Sequence, residues 1–249
     1  MERQCSVAIV TGAGRNIGEA IATRLASEGL NVACVDLDHA RAQRTADKIN
    51  AAEAGAALPV VCDVSSDAQV QRMLQSVVSA WGRVDVLVNN VAITDRSTLF
   101  DLEEEEWDRV MRVCVKSVFL CSKHVGKRMA EQGDGGCIIN LASTSGHLGR
   151  KNATAYPAAK AAVLNFSKAL AIQLAPYRIR VNVVTPNKVG SPVGEDQVRE
   201  GGTVTNLVGR NGEPGDVAGA VAFLASKQAA FIDGAEILVD GGAMANLQP

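Results

Sequence analysis

The chain has 249 residues, 47% of them hydrophobic and 21% charged, with a formal net charge of −2. This is the composition of a globular protein with a sizeable core, and its near-neutral charge gives no electrostatic reason to expect nucleic acid or an anionic membrane as partner. No apolar stretch approaches the ~20 residues of a membrane span, and the opening "MERQCSVAIVTGAG" does not read as a secretory signal, so a soluble, cytoplasmic protein is expected.

Short runs rich in Val and Ile alternate along the chain with segments of helical spacing. "SVAIVT" leads into a glycine turn and then into "IGEAIATRLASEG", where Ile17, Ile21 and Leu25 recur every four residues before Gly29 closes the helix. "NVACVD", "LPVVCDV", "VDVLVNN", "CIINLAS", "IRVNVVT" and "EILVD" follow in order. Continuous apolar runs of this kind suit strands covered on both faces. Seven strands with mostly helical crossovers predict an α/β fold, a doubly wound parallel sheet with helices on both faces, and no linker divides residues 1–249 into more than one domain. "EEEE" at Glu103–Glu106 reads as the acidic start of a helix. Residues 190–207, polar and glycine-rich, are expected to form a flexible loop over a ligand. Six cysteines without a C-x-x-C or Cys/His cluster read as buried, reduced thiols, with Cys5, Cys34, Cys62 and Cys137 in strand-like runs and no metal site expected.

The turn "TGAGRNIG", Thr11 to Gly18, follows the first strand and opens the first helix. Glycines there let the backbone approach a pyrophosphate, and the helix N-terminus offers it N–H donors and positive dipole. Gly12, Arg15, Asn16, Ile17 and Gly18 are therefore candidate cofactor contacts. Asp36 ends the second strand, where a carboxylate accepts from both adenosine ribose hydroxyls and repels a 2′-phosphate. NAD(H) is accordingly favoured over NADP(H), although Arg15 could reach toward a 2′-phosphate.

Several further motifs, in order, resemble those of the single-domain short-chain dehydrogenase/reductase family over nearly the whole length. The glycine turn is similar to T-G-x-x-x-G-x-G, "CDV" at Cys62–Val64 to the adenine-binding D-V, and "NNVA" at Asn89–Ala92 to N-N-A-G. "NLAS" ends at Ser143, thirteen residues before Tyr156 in "YPAAK", which matches Y-x-x-x-K and ends at Lys160; "RVNVVTPNKVGS" resembles R-V-N-x-x-x-P-G-x-x-x-T. The resemblance implies a Rossmann fold, cofactor contacts at Asp63, Val64, Asn90, Tyr156, Lys160, Val189 and Ser191, and a catalytic set of Ser143, Tyr156 and Lys160. Substrate contacts would come from Ser143, Ser145, Tyr156 and Asn187, with His147, Asn152, Gly190 and Val193 also facing the pocket. It further implies a small-molecule alcohol or ketone as substrate and a homotetramer.

A free tyrosine has a pKa of ~10, too high for a base near neutrality. A lysine one turn away, with the positive nicotinamide, is expected to favour the phenolate. Four departures from the family pattern stand out: Asn16 for the middle glycine, Val91-Ala92 for Ala-Gly, Asn187 for a glycine, and Cys114 where the family usually has a catalytic asparagine that helps hold a water linked to the lysine. The last predicts a weakened or rerouted proton relay. The leading expectation is an NAD(H)-dependent oxidoreductase interconverting a secondary alcohol and a ketone. Alternatives are an NADPH-using 3-oxoacyl-carrier-protein reductase, and a catalytically impaired NAD-binding regulatory or scaffold protein.

Overall fold

The computed structural model describes residues 6–52, 55–190, 193 and 206–245. Strands β1 (Val7–Thr11), β2 (Asn31–Asp36), β3 (Ala57–Val61), β4 (Val86–Asn89), β5 (Gly136–Leu141), β6 (Ile179–Pro186) and β7 (Glu236–Val239) form one sheet in the order β3-β2-β1-β4-β5-β6-β7. Every neighbouring pair is parallel, as the doubly covered apolar runs predict. Cys62 is a small departure, lying one residue past β3, but Cys34, Cys62, Cys114, Cys121 and Cys137 are all free and buried. Cys5 falls outside the described residues.

The alternation of side chains along the strands builds two cores. On one face Ala8, Val10, Val32, Cys34, Val88 and Ile139 pack against α1 (Asn16–Ser27), α2 (His39–Ala51) and α7 (Pro214–Ala225) through Ile21, Leu25, Ile49, Val217 and Val221. On the other, Val7, Ile9, Val35, Leu87, Ile138 and Val181 meet α3 (Asp67–Trp81), α5 (Ser117–Gln132) and α6 (Ala155–Leu174) through Val70, Met73, Leu120, Val125, Met129 and Ala171. Burying a large aliphatic side chain contributes about 1.5–3 kcal/mol, so this two-sided arrangement is what holds the sheet.

Between β4 and α5 the chain runs through α4 (Glu104–Met111) and then a π-helical segment, Arg112–Lys116. That segment presents buried Cys114 to a third, smaller cluster with Val110, Ala155, Tyr156 and Ala159. Among the described residues no helix is long and apolar enough to cross a membrane. The strand order reverses between β1 and β4, and the carboxyl ends of strands at such a reversal leave a crevice.

Candidate active site

The crevice is a cleft of about 970 Å³. At one end lies the glycine turn. Gly12 has φ of 65°, and a Cβ on Gly18 would sit 1.9 Å from the Gly12 carbonyl oxygen, so the turn closes on itself only with glycine at both places. Asn16 adopts φ of 49°, the left-handed region that asparagine tolerates better than most side chains, and the turn survives without its middle glycine. Asn90 ties the turn to β4: its Nδ2 donates to the carbonyls of Thr11 (3.0 Å) and Gly12 (3.2 Å).

Asp36 stands beside the turn, its Oδ2 accepting from the Gly14 N–H at 3.0 Å and its Oδ1 from the Asp38 N–H at 3.1 Å. Arg15 and Arg41 line the same end. Burial lowers the Arg15 pKa and the Arg41 charge lowers it further, while Asp36 opposes both. Asp63 and Val64 line the wall next to it, the Asp63 carboxylate accepting from the Ser65 N–H (2.9 Å) and hydroxyl (2.7 Å). Ile17, Val189 and Gly190 also line the cleft. Ser191 and most of the 190–207 loop lie outside the described residues.

At the other end the structure brings Ser143, Tyr156 and Lys160 together. Ser143 follows β5, its Oγ accepting from the Ser145 N–H at 3.1 Å. The Ser143 hydroxyl lies close enough to the Tyr156 hydroxyl to lower its pKa. Lys160, 3% exposed, donates from Nζ to the Leu141 carbonyl at 2.6 Å. Asn187 also lines the cleft, its Oδ1 accepting from the Thr144 hydroxyl at 3.1 Å.

In the protein alone, burial is the first influence on the phenol. It pushes the Tyr156 hydroxyl up to about 12; Ser143 lowers it, Cys114 raises it and Arg150 lowers it. The Lys160 ammonium is turned onto a backbone carbonyl, 5.8 Å from the centre of the phenol ring, and burial holds its own pKa below the usual lysine value. The second cation over the ring is Arg150, with its guanidinium carbon 5.6 Å from the ring centroid.

Three features escaped sequence reasoning. The first is Asp95, 1% exposed, whose carboxylate accepts from the backbone N–H groups of Thr154 (2.6 Å), Ala155 (3.0 Å) and Tyr156 (3.0 Å). Thr154 makes no side-chain cap of its own, so a residue from a distant loop satisfies the orphan donors at the start of α6 and fixes the turn that carries the phenol. The second is Arg150. The third is the geometry at Cys114, whose thiol donates to the Ile93 carbonyl (3.2 Å) and accepts from the Ile93 N–H (3.4 Å). Burial keeps that thiol's pKa above its ordinary value, and so protonated at neutral pH. His147 and Asn152, expected at the pocket, are not among its lining residues; the His147 ring pairs with Glu236 at 2.7 Å.

Glycines closing on a helix N-terminus, a carboxylate beside them and a buried phenol next to a serine and a lysine define a dinucleotide-binding oxidoreductase site. The comparisons place it further. The family described as enoyl-(acyl carrier protein) reductase matches residues 12–244. A short-chain dehydrogenase/reductase of Armillaria gallica is 38% identical, the match covering 96% of each chain. The meso-2,3-butanediol dehydrogenase of Serratia marcescens is 36% identical over 96% of this chain and 95% of its own. The crystal structure of a 3-ketoacyl-(acyl-carrier-protein) reductase from Brucella melitensis, complexed with NADH, is 37% identical with a TM-score of 0.87, covering 96% of this chain and 98% of that one. The chain belongs to the short-chain dehydrogenase/reductase family.

Proposed function

We propose that the protein is an NAD(H)-dependent oxidoreductase that interconverts a secondary alcohol and a ketone, with Tyr156 as acid/base. The overall change is alcohol plus oxidised dinucleotide to ketone, reduced dinucleotide and a proton. The observation that carries this reading is the buried Tyr156 hydroxyl, set beside Ser143 and overlain by Lys160 and Arg150 at the reaction end of the cleft. When bound, the oxidised nicotinamide supplies a hydride acceptor and a positive charge beside the phenol.

The chain's own residues do the rest. Gly12, Arg15, Asn16, Ile17 and Gly18 would hold the pyrophosphate, Asp36 the adenosine ribose, Asp63 and Val64 the adenine, and Lys160 the nicotinamide ribose. Tyr156 as phenolate takes the substrate's hydroxyl proton, and as phenol returns it in the reverse direction. Ser143 donates to the same oxygen and stabilises its developing charge. Asp95 holds the first turn of α6 so that the phenol meets the substrate in one geometry. A scaffold role has no use for a buried phenol assembled in this way.

Asp36, accepting from Gly14, supports NAD(H). Arg15 and Arg41 in the same corner favour the second reading, an NADPH-linked acyl-carrier-protein reductase. Binding of NADH and NADPH to the purified protein, followed by an NAD-linked screen of secondary alcohols at alkaline pH, separates the two. Tighter NADH binding with turnover supports the proposal, and NADPH preference supports the rival. Binding of either dinucleotide with no turnover of any alcohol or ketone would overturn both.

A further inference from the structure

The charged residues along the cleft are unevenly shared. Its only carboxylates among the described residues are Asp36 and Asp63, both at the adenosine end and both committed to local hydrogen bonds. Around the reaction end stand Arg96, Arg109, Arg112 and Arg150. Arg109 is neutralised by Glu106, with contacts of 2.7 and 3.1 Å, and Arg96 donates to the Val193 carbonyl at 3.2 Å. Arg112 and Arg150 have no carboxylate partner among the described residues. Arg150 is the one beside the chemistry, its guanidinium carbon 5.6 Å from the Tyr156 ring centroid. Asp95, 1% exposed, holds three backbone N–H groups with its carboxylate and makes no ion pair with Arg150.

We infer that the substrate is an anion: a hydroxy acid or its keto acid, whose carboxylate, or a comparable anionic oxygen group, is gripped by Arg150 while the reacting oxygen lies on Tyr156 and Ser143. The inference rests on the oxidoreductase reading for the reaction and adds the substrate class to it. A guanidinium presents parallel N–H donors that match a carboxylate in two bonds, a geometry that an ammonium or a hydroxyl does not reproduce. Arg112, exposed and unpaired at the rim, adds positive potential along the approach to the same end. Ile93, Val113 and Leu148 add apolar surface to the lining of the same cleft.

The test compares acids with neutral amides of nearly the same shape: lactate with lactamide, and 3-hydroxybutyrate with 3-hydroxybutyramide. Two readouts are taken. One is binding of each compound to the NADH complex, where an alcohol has no hydride acceptor and forms a dead-end complex, followed by nicotinamide fluorescence. The other is kcat/KM for NAD-linked oxidation. For at least one pair, the acid is expected to bind ~10-fold more tightly than its amide and to be oxidised with the same preference. Arg150→Met brings the acid-to-amide ratio close to one, whereas Arg150→Lys, which keeps the charge but loses the fork, retains part of it. Equal binding of acid and amide in both pairs, or a ratio unchanged in Arg150→Met, overturns the inference and leaves the oxidoreductase reading standing if amides are oxidised. Arg150-dependent binding of an acid without turnover has the opposite meaning: the anion site stands and the proposed reaction falls.

Discussion

The adenosine end of the cleft and the reaction end are built in different ways. At the first, backbone does most of the work: a glycine turn between β1 and α1, a carboxylate at the last residue of β2, and a short Asp63–Ser65 turn after β3. At the second, side chains from four separate segments converge: Asp95 after β4, Cys114 in the π segment, Ser143 after β5, and Tyr156 and Lys160 on α6. A turn made of backbone tolerates changes around it but no added Cβ at its closest approach. A site assembled from side chains depends instead on what holds each piece against the next. Here the holding falls to Asp95 and Cys114, which pin the loop after β4 to the start of α6 and to the π segment.

The comparison can be broken most severely at Gly18. Its Cβ position lies 1.9 Å from the Gly12 carbonyl, so Gly18→Ala must displace the turn. Dinucleotide affinity is expected to drop ~100-fold, measured by titration with NADH, as overpacking costs about 1–3 kcal/mol; wild-type affinity would contradict the backbone account of this end. At the opposite end, Asp95→Asn leaves helix donors without their carboxylate. It should cost about 2 kcal/mol of stability and cut kcat by ~10-fold while leaving NADH affinity unchanged. A fall in NADH affinity equal to that in kcat would show that the two ends are not separable.

Finer distinctions come from smaller effects. Asp36→Ala removes the acceptor beside the glycine turn and leaves Arg15 and Arg41 in place. NADH affinity is expected to fall ~10-fold as NADPH affinity rises, and titration with both reads the change directly. The pH dependence follows from the phenol. Its pKa is raised from an ordinary 10 to about 12, so oxidation, which needs the phenolate, climbs through the alkaline range, whereas ketone reduction is level around neutrality. The same shift contributes stability that is fully present below pH 10 and lost as pH rises toward about 12. Cys114→Asn gives the smallest change. If the thiol weakens a proton relay through Lys160, the asparagine raises turnover a few-fold (~2–5) and alters the pH profile; an unchanged rate and profile would dispose of the relay idea.

The difference between the two ends also explains what could be read from the sequence. Seven apolar runs bounded by turns specify the parallel sheet, because strands buried on both faces leave a period-free signal that a glycine turn and a crossover helix punctuate. Gly12, Gly18 and Asp36 were legible for a related reason: the turn, the helix start and the strand end are each encoded locally. Ser143, Tyr156 and Lys160 were found through spacing that resembles a family, and the sheet then brought them together. Asp95 left no such trace, since a lone aspartate in a polar loop looks like any solvated residue until α6 is docked against it. Arg150 was hidden likewise, because its meaning lies in which ring it overlies. Helical spacing also does not carry the depth of burial, which is the first influence on the Tyr156 phenol and raises its pKa.

The central claim is that one buried phenol moves the proton in NAD-linked alcohol oxidation. Tyr156→Phe tests it most directly, with kcat/KM for the best alcohol and the dissociation constant for NADH measured on the same preparation. The account predicts a loss of turnover of at least ~100-fold with NADH binding within about two-fold of wild type. Turnover retained at the wild-type level, with the same pH profile, would contradict it.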